Sequence, residues 1–442
     1  MSKMLFLLII TFFLKTFTLH AQNENQNKAR GVEAEDSIKG FVVDENDFKW
    51  IMLLTGGWIN IDKQNSVQFK SPILAVNYNT VEGVNTTGGI RYRHYFNPFH
   101  RLTFGPDLHY AYPRDQLSGV LYLDFEYKTN LDSAAIGLKL GRQIHQFNAD
   151  IGPFANTLST LLFQDNQLKL FEQDFISLST HLNHQKKLKA NLTFELSERW
   201  QLSNHPKLVN AEENKYSSNV PENIEIEDTS FPRHRAFTVT TSLEYKPFLK
   251  FLTIDGKKQP VSNSSPVFWI MFEKGFPDIT GSVSDFDKLT LGFNHNISLA
   301  KKTNFIFYLE GGGFLNADQV YFMDFFHFPR NQAPFLLINN EESLRLLDYY
   351  YYSTKRGYFK SNMILQLSDF LVGRFHWARE MGIYENLILN NLFTPDLYHY
   401  TEFGYGIDNI FKLIRIEIMA SILDGRFDKF GARVGLIHEL NF

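Results

Sequence analysis

The closest approach to a metal-ligand spacing in the chain is "HLNH", His181 to His184. Its surroundings alternate polar and apolar residues, and on a strand positions i and i+3 point to opposite faces. The two imidazoles therefore cannot share one cation. "EGGGF" (310–314) is rich in glycine but lacks the Lys-Ser or Lys-Thr that completes a phosphate loop. It suits a strand end approached closely by another segment. No G-x-S-x-G elbow occurs, so a serine hydrolase has no evident nucleophile. Five tyrosines in "DYYYYSTKRGYF" (348–359) could stack a ligand or a glycan. They fit better as an interfacial belt, with rings in the apolar layer and hydroxyls in water. No catalytic residue, cofactor or metal site is expected.

The elements that carry these residues follow from composition and period. Aromatics make up 15% of the 442 residues, with 43 Phe and 20 Tyr, yet the mean hydropathy is only -0.24. Large apolar side chains must therefore be interleaved with polar ones. "LKANLTFELSE" places Leu188, Ala190, Leu192, Phe194 and Leu196 on one face and Lys189, Asn191, Thr193 and Glu195 on the other. "LSGVLYLDFEY" (117–127), "AFTVTTSLEY" (236–245) and "LIRIEIMASI" (413–422) repeat the pattern. Such segments run to about ten residues, the length of a bilayer-crossing strand. They carry charge on the face opposite the apolar one, which a wet lumen accepts and a sandwich core does not. About sixteen such segments predict an all-β, transmembrane antiparallel barrel. Short connections at 97–100, 184–187, 300–303, 368–373 and 408–412 alternate with long ones near 146–172, 204–234, 313–356 and 387–398. The connection 247–264 breaks that rule by being too long for its side.

"MSKMLFLLIITFFLKTFTLHAQ" has the layout of a secretory signal peptide, predicted over residues 1–21. A polar leader over 22–46 and a barrel over 47–442 complete the expected organisation. The net charge of -4 leaves no polybasic footprint for nucleic acid, and an exported chain without Cys is held by packing and hydrogen bonds alone. The chain ends on Phe442, an aromatic terminus of the kind that outer-membrane assembly machinery recognises. The cell outer membrane is the expected location.

"NYNTVEGV" (77–84), "GRQIHQFNADIGPFANTLSTLLFQDNQLKLFEQDF" (141–175), "FPRHRAFTVTTSLEYKP" (231–247) and "FGYGIDNIFKLIRIEI" (403–418) resemble an uncharacterised family of Bacteroidota outer-membrane barrels. Its members often carry a carboxypeptidase-regulatory-like module, for which the leader here is too short. A more distant resemblance is to the outer-membrane insertase superfamily. There a long external loop folds into the lumen, and its Arg-Gly-aromatic tip meets an acidic-x-Gly wall motif. The resemblance implies that Arg356, Gly357 and Tyr358 of "KRGYF" face Glu380 and Gly382 of "WAREMGIY". A guanidinium bonded to a wall carboxylate would pin the loop and close the pore. The leader leaves no room for the insertases' periplasmic delivery domains. "SLRLLDYY" (343–350) reads as a short amphipathic helix within the loop, and 155–175 as an apolar segment able to plug the lumen.

These observations lead to a non-enzymatic, insertase-like barrel closed by inward loops, a component of an envelope-assembly or other outer-membrane complex. Its expected partners are the outer-membrane bilayer, the assembly machinery and other outer-membrane proteins, with no nucleic acid. The alternative is a porin-like or gated channel, since a barrel of about sixteen strands is wide enough for water.

Overall fold

Strict alternation over ten or more residues leaves one face of each strand apolar, and these strands bury the other one. The computed structural model describes residues 55–436 except 74, 149–150, 206–215, 255, 262, 301–302, 329–334, 337–341 and 413. The first strands are β1 (Gly57–Asn60), β2 (Asn65–Lys70), β3 (Asn77–Asn79), β4 (Gly83–Asn97), β5 (His100–Ala111), β6 (Gln116–Lys128) and β7 (Ser133–Gln146). Helix α1 (Pro153–Phe163) precedes β8 (Leu170–His184), β9 (Leu188–Gln201), β10 (His234–Tyr245), β11 (Phe251–Ile254), β12 (Lys257–Pro260) and β13 (Val267–Gly275). Next come β14 (Asp285–Ala300), β15 (Thr303–Gln319), β16 (Phe335–Leu336) and β17 (Gly357–Leu367). Helix α2 (His376–Met381) is followed by β18 (Tyr384–Thr394), β19 (Leu397–Ile410), β20 (Ile414–Leu423) and β21 (Arg426–Leu436).

Among the described residues, all strands but β11 and β12 belong to one 19-stranded sheet. Setting aside the short β3 and β16, seventeen strands follow one another as an antiparallel meander, against the sixteen or so read from the sequence. β16 instead lies parallel to β21, with Phe335 opposite Val434.

The polarity is inverted relative to a water-soluble protein. Leu121, Leu123, Phe125, Ile136, Ile176, Leu178, Leu243, Phe268, Leu291, Phe403 and Ile418 are exposed, while Glu172, Arg199, Thr290, Lys360, Glu402, Arg415 and Glu417 are buried. An apolar exterior round a polar, charged interior is stable only where lipid replaces water outside. The chain is thus a transmembrane β-barrel of the outer-membrane kind. The lumen is filled in part by the connection between β15 and β17.

Turn lengths fix the orientation. The ends joining β4–β5, β6–β7, β8–β9, β14–β15 and β19–β20 are tight and mark the periplasmic side, and the long connections mark the external one. Three connections differ from the sequence reading. Segment 387–398 is no loop: β18 and β19 meet at a tight turn where Thr394 Oγ1 accepts the Leu397 N–H at 3.1 Å. Segment 368–383, read as a short turn and a strand, instead carries a 3-10 turn and α2. Gly382 ends that helix in the left-handed region at φ 72°, a conformation that costs glycine least. The overlong 247–264 folds into the separate hairpin β11–β12. Residues 1–54 and the terminal Phe442 lie outside the described residues.

Candidate functional site

Residues 343–350 descend into the lumen as bends rather than as the expected helix. The reason is visible in their contacts, since the Arg345 and Leu346 N–H groups are taken by β19 and the Arg345 side chain by β20. Glu402 on β19 accepts the Arg345 N–H through both carboxylate oxygens at 2.9 and 2.7 Å, and the Leu346 N–H at 2.6 Å. Two wall residues hold that carboxylate in place: Tyr400 donates its hydroxyl at 2.9 Å and Asn390 its amide at 3.0 Å. Asn362 on β17 donates in turn to Asn390 at 3.0 Å, so the ladder crosses three strands. The Arg345 guanidinium bonds Ser343 and lies 3.3 Å from Glu417 on β20. Glu417 also faces Arg415, which pairs with Asp408 at 2.6 Å, and stands opposite Arg433 on β21.

All six ionic groups are buried. Three arginines against three carboxylates balance, which makes their burial tolerable. The leucines beside Arg345 add apolar contacts to the same wall. Leu344 and Leu347 pack with Leu392, Leu397, Tyr400 and Phe326, and Leu346 packs with Ile364, Ile388 and Met419. Gly431 leaves room for that last contact, because a Cβ there would stand 2.6 Å from the Leu346 side chain. This arrangement holds the loop against β18–β21. It offers no nucleophile with an adjacent base.

Above the latch the same connection joins the other external loops. Phe322, Met323, Phe325 and Tyr350 pack with Phe147, Phe171 and Phe231. Asn223 donates to the Tyr350, Tyr351 and Ser353 carbonyls, and Arg199 pairs with Asp324 at 2.8 Å. Burial among these rings, with the Lys288 charge nearby, pushes His327 down to about 3 from the ordinary 6.5. A histidine held neutral in the folded state stabilises it above pH 6.5, and that contribution is lost as pH falls from 6.5 toward 3. Amide exchange of residues 320–328 is therefore expected to accelerate across that window, and His327→Phe to remove most of the acceleration.

The sequence-derived pair is not formed. Arg356 stays at the rim with its side chain 48% exposed, bonded to Asp396 and 3.6 Å from Glu225. Glu380 projects from α2, 67% exposed, and pairs with His376 at 3.0 Å. The expectation failed because "HWAREM" is helical and belongs to the connection between β17 and β18, where Glu380 is exposed and the Gly382 carbonyl accepts from Asn409 at the end of β19 at 2.7 Å. Gly357 begins β17, and Tyr358 does face the lumen, donating to Glu310 at 2.6 Å beside Lys360. His181 and His184 point apart, toward Asn191 and Asp132 respectively. Of the segment read as a plug, residues 153–163 form α1, which packs beside β3 with the Tyr78 N–H donating to Thr157 Oγ1 at 2.9 Å, and 170–175 belong to β8. Arg345, Glu402 and Glu417 were missed. The acidic-x-Gly spacing that singled out Glu380 occurs again at Glu402-Phe403-Gly404, within an unbroken period-two segment, and that context was the usable signal.

No curated protein matches the chain. Among solved structures, BamA from Haemophilus ducreyi lacking POTRA domains 1–3 is 10% identical with a TM-score of 0.42, over 86% of this chain and 74% of that one. CdiB from Acinetobacter baumannii is 10% identical with a TM-score of 0.38, over 85% and 59% respectively. The copper transporter OprC is 9% identical with a TM-score of 0.34, over 84% and 64%. The chain thus spans less than two thirds of the latter two. The sequence profile for the C-terminal domain of a family of unknown function, DUF5686, matches residues 51–407, and the chain belongs to that family.

Proposed function

We propose that this protein is a non-enzymatic, insertase-like barrel of the outer membrane, closed at rest by its own loop and acting as a component of an envelope-assembly or outer-membrane complex. The observation that carries the reading is the Arg345–Glu402–Glu417 latch. A freely conducting pore gains nothing from a buried, charge-balanced lock across its lumen, whereas a scaffold must keep the membrane sealed. Gentle-detergent affinity purification from native membranes tests it. A discrete set of co-purifying outer-membrane proteins is the expected outcome, and recovery of the chain alone would count against it.

One observation favours a second reading, a gated channel for a small polar solute. Beneath the latch lies a chamber of about 560 Å³, lined by Lys189, Lys246, Asn294, Asn296, Tyr308 and Asn362 among others. That size is in the range of small-molecule sites.

A further inference from the structure

The connection between β10 and β13 is a built object on the periplasmic rim, where its neighbours are tight turns. Its base is fixed by hydrogen bonds from Phe248 N to Ser265 Oγ and from Lys250 N to Ser264 Oγ, both 3.0 Å, and from Val261 N to the Lys250 carbonyl at 2.8 Å. Its body is the hairpin β11–β12, paired from Phe251 opposite Pro260 to Ile254 opposite Lys257. The hairpin does not hang free. Asn130, in the β6–β7 turn, donates to the Lys258 carbonyl at 2.7 Å. The Lys187 ammonium, in the β8–β9 turn, lies 5.9 Å from the Phe251 ring. The hairpin therefore runs sideways along the rim, past the feet of β6 to β9.

We propose that this hairpin is a docking surface for the anionic phospholipid headgroups of the inner leaflet. Two independent properties point to that occupant. First, Phe248, Leu252 and Ile254 are 67%, 58% and 44% exposed, an apolar cluster that a rigid element would not offer to water without something to cover it. Second, Lys250, Lys257 and Lys258 are exposed among them, and Lys187 lies beside the Phe251 ring. Apolar side chains interleaved with lysines are the composition of an element that lies in the interface plane of an anionic membrane. The surface is also continuous with the lipid-facing wall. It begins one residue after Tyr245, which with Tyr127 ends the apolar face of β10 and β6. The connection between β17 and β18, on the same side of the sheet, carries a similar element, where Leu371, Phe375 and Trp377 are exposed near Arg374 and Arg379.

The test is amide exchange of residues 248–260 in the full-length protein, reconstituted in nanodiscs of phosphatidylcholine alone or with added phosphatidylglycerol. Exchange is expected to be roughly tenfold slower or more in the anionic discs. The variant Lys250→Gln/Lys257→Gln/Lys258→Gln should lose that difference while exchange in β6 to β9 stays unchanged. A second variant, Phe248→Ser/Leu252→Ser, should weaken protection in anionic discs without touching any lysine. Equal exchange in both compositions would overturn the proposal, as would a difference that survives the lysine variant. Protection that appears only on adding a periplasmic extract, whatever the lipid, would also overturn it and assign the surface to a protein.

Discussion

Replacing Glu402 with Ala is expected to release the lumen loop while leaving the barrel assembled. This carboxylate accepts two backbone N–H groups of the loop as well as Tyr400 and Asn390, so no side-chain change within the loop can mimic its loss. Its removal strands four buried donors and leaves Arg345, Arg415 and Arg433 facing two carboxylates. Breaking such a buried network costs about 3–5 kcal/mol. At 1.4 kcal/mol per factor of ten, the closed-to-open ratio falls roughly a thousandfold. Two readouts check it: faster tryptic cleavage after Arg345 and Lys355, and persistence of the heat-modifiable compact band on semi-native gels. Unchanged cleavage in a folded barrel would remove Glu402 from the latch.

The second large effect is expected at Arg345 itself. Arg345→Met keeps the stem volume and both backbone hydrogen bonds but leaves Glu417 to Arg415 and Arg433 alone. The loss should be smaller than for Glu402→Ala, on the order of 2–3 kcal/mol, and read as a lower temperature for loss of the compact band. Adding Glu417→Gln tests the specific contact. Because the two side chains are 3.3 Å apart, the double variant should fall short of the summed single losses by about 1–3 kcal/mol. Strict additivity would mean that the guanidinium contributes only through packing.

The wall of the barrel could be read from sequence because its signal is local. Each of Leu188 to Leu196 reports its own face, and a one-residue slip would put every lysine and glutamate into lipid. The resemblance to an uncharacterised barrel family was likewise correct. The site was harder, because it is an agreement between distant segments. Arg345 and Glu402 are 57 positions apart, and nothing in either neighbourhood states the pairing. Arg356 drew notice through its Gly-Tyr context, but the loop turns so that the guanidinium of Arg345, flanked by leucines, goes inward and that of Arg356 remains in water. Glu380 misled for a local reason. Its helix is only six residues long, too short for a helical period to stand out against the surrounding alternation. The feature that forces it out of the wall is instead Glu385, which accepts N–H groups from Phe370, Leu371 and Gly373 at 3.1, 2.9 and 2.8 Å and so fixes the preceding segment at the foot of β18.

Electrical recording from the wild-type protein in planar bilayers addresses the occluding loop most directly. If Glu402 and Arg345 lock that segment across the passage, insertion of the purified barrel gives a near-silent membrane, and Glu402→Ala gives stable openings under the same voltage. A large, steady conductance from the unmodified chain would contradict the account.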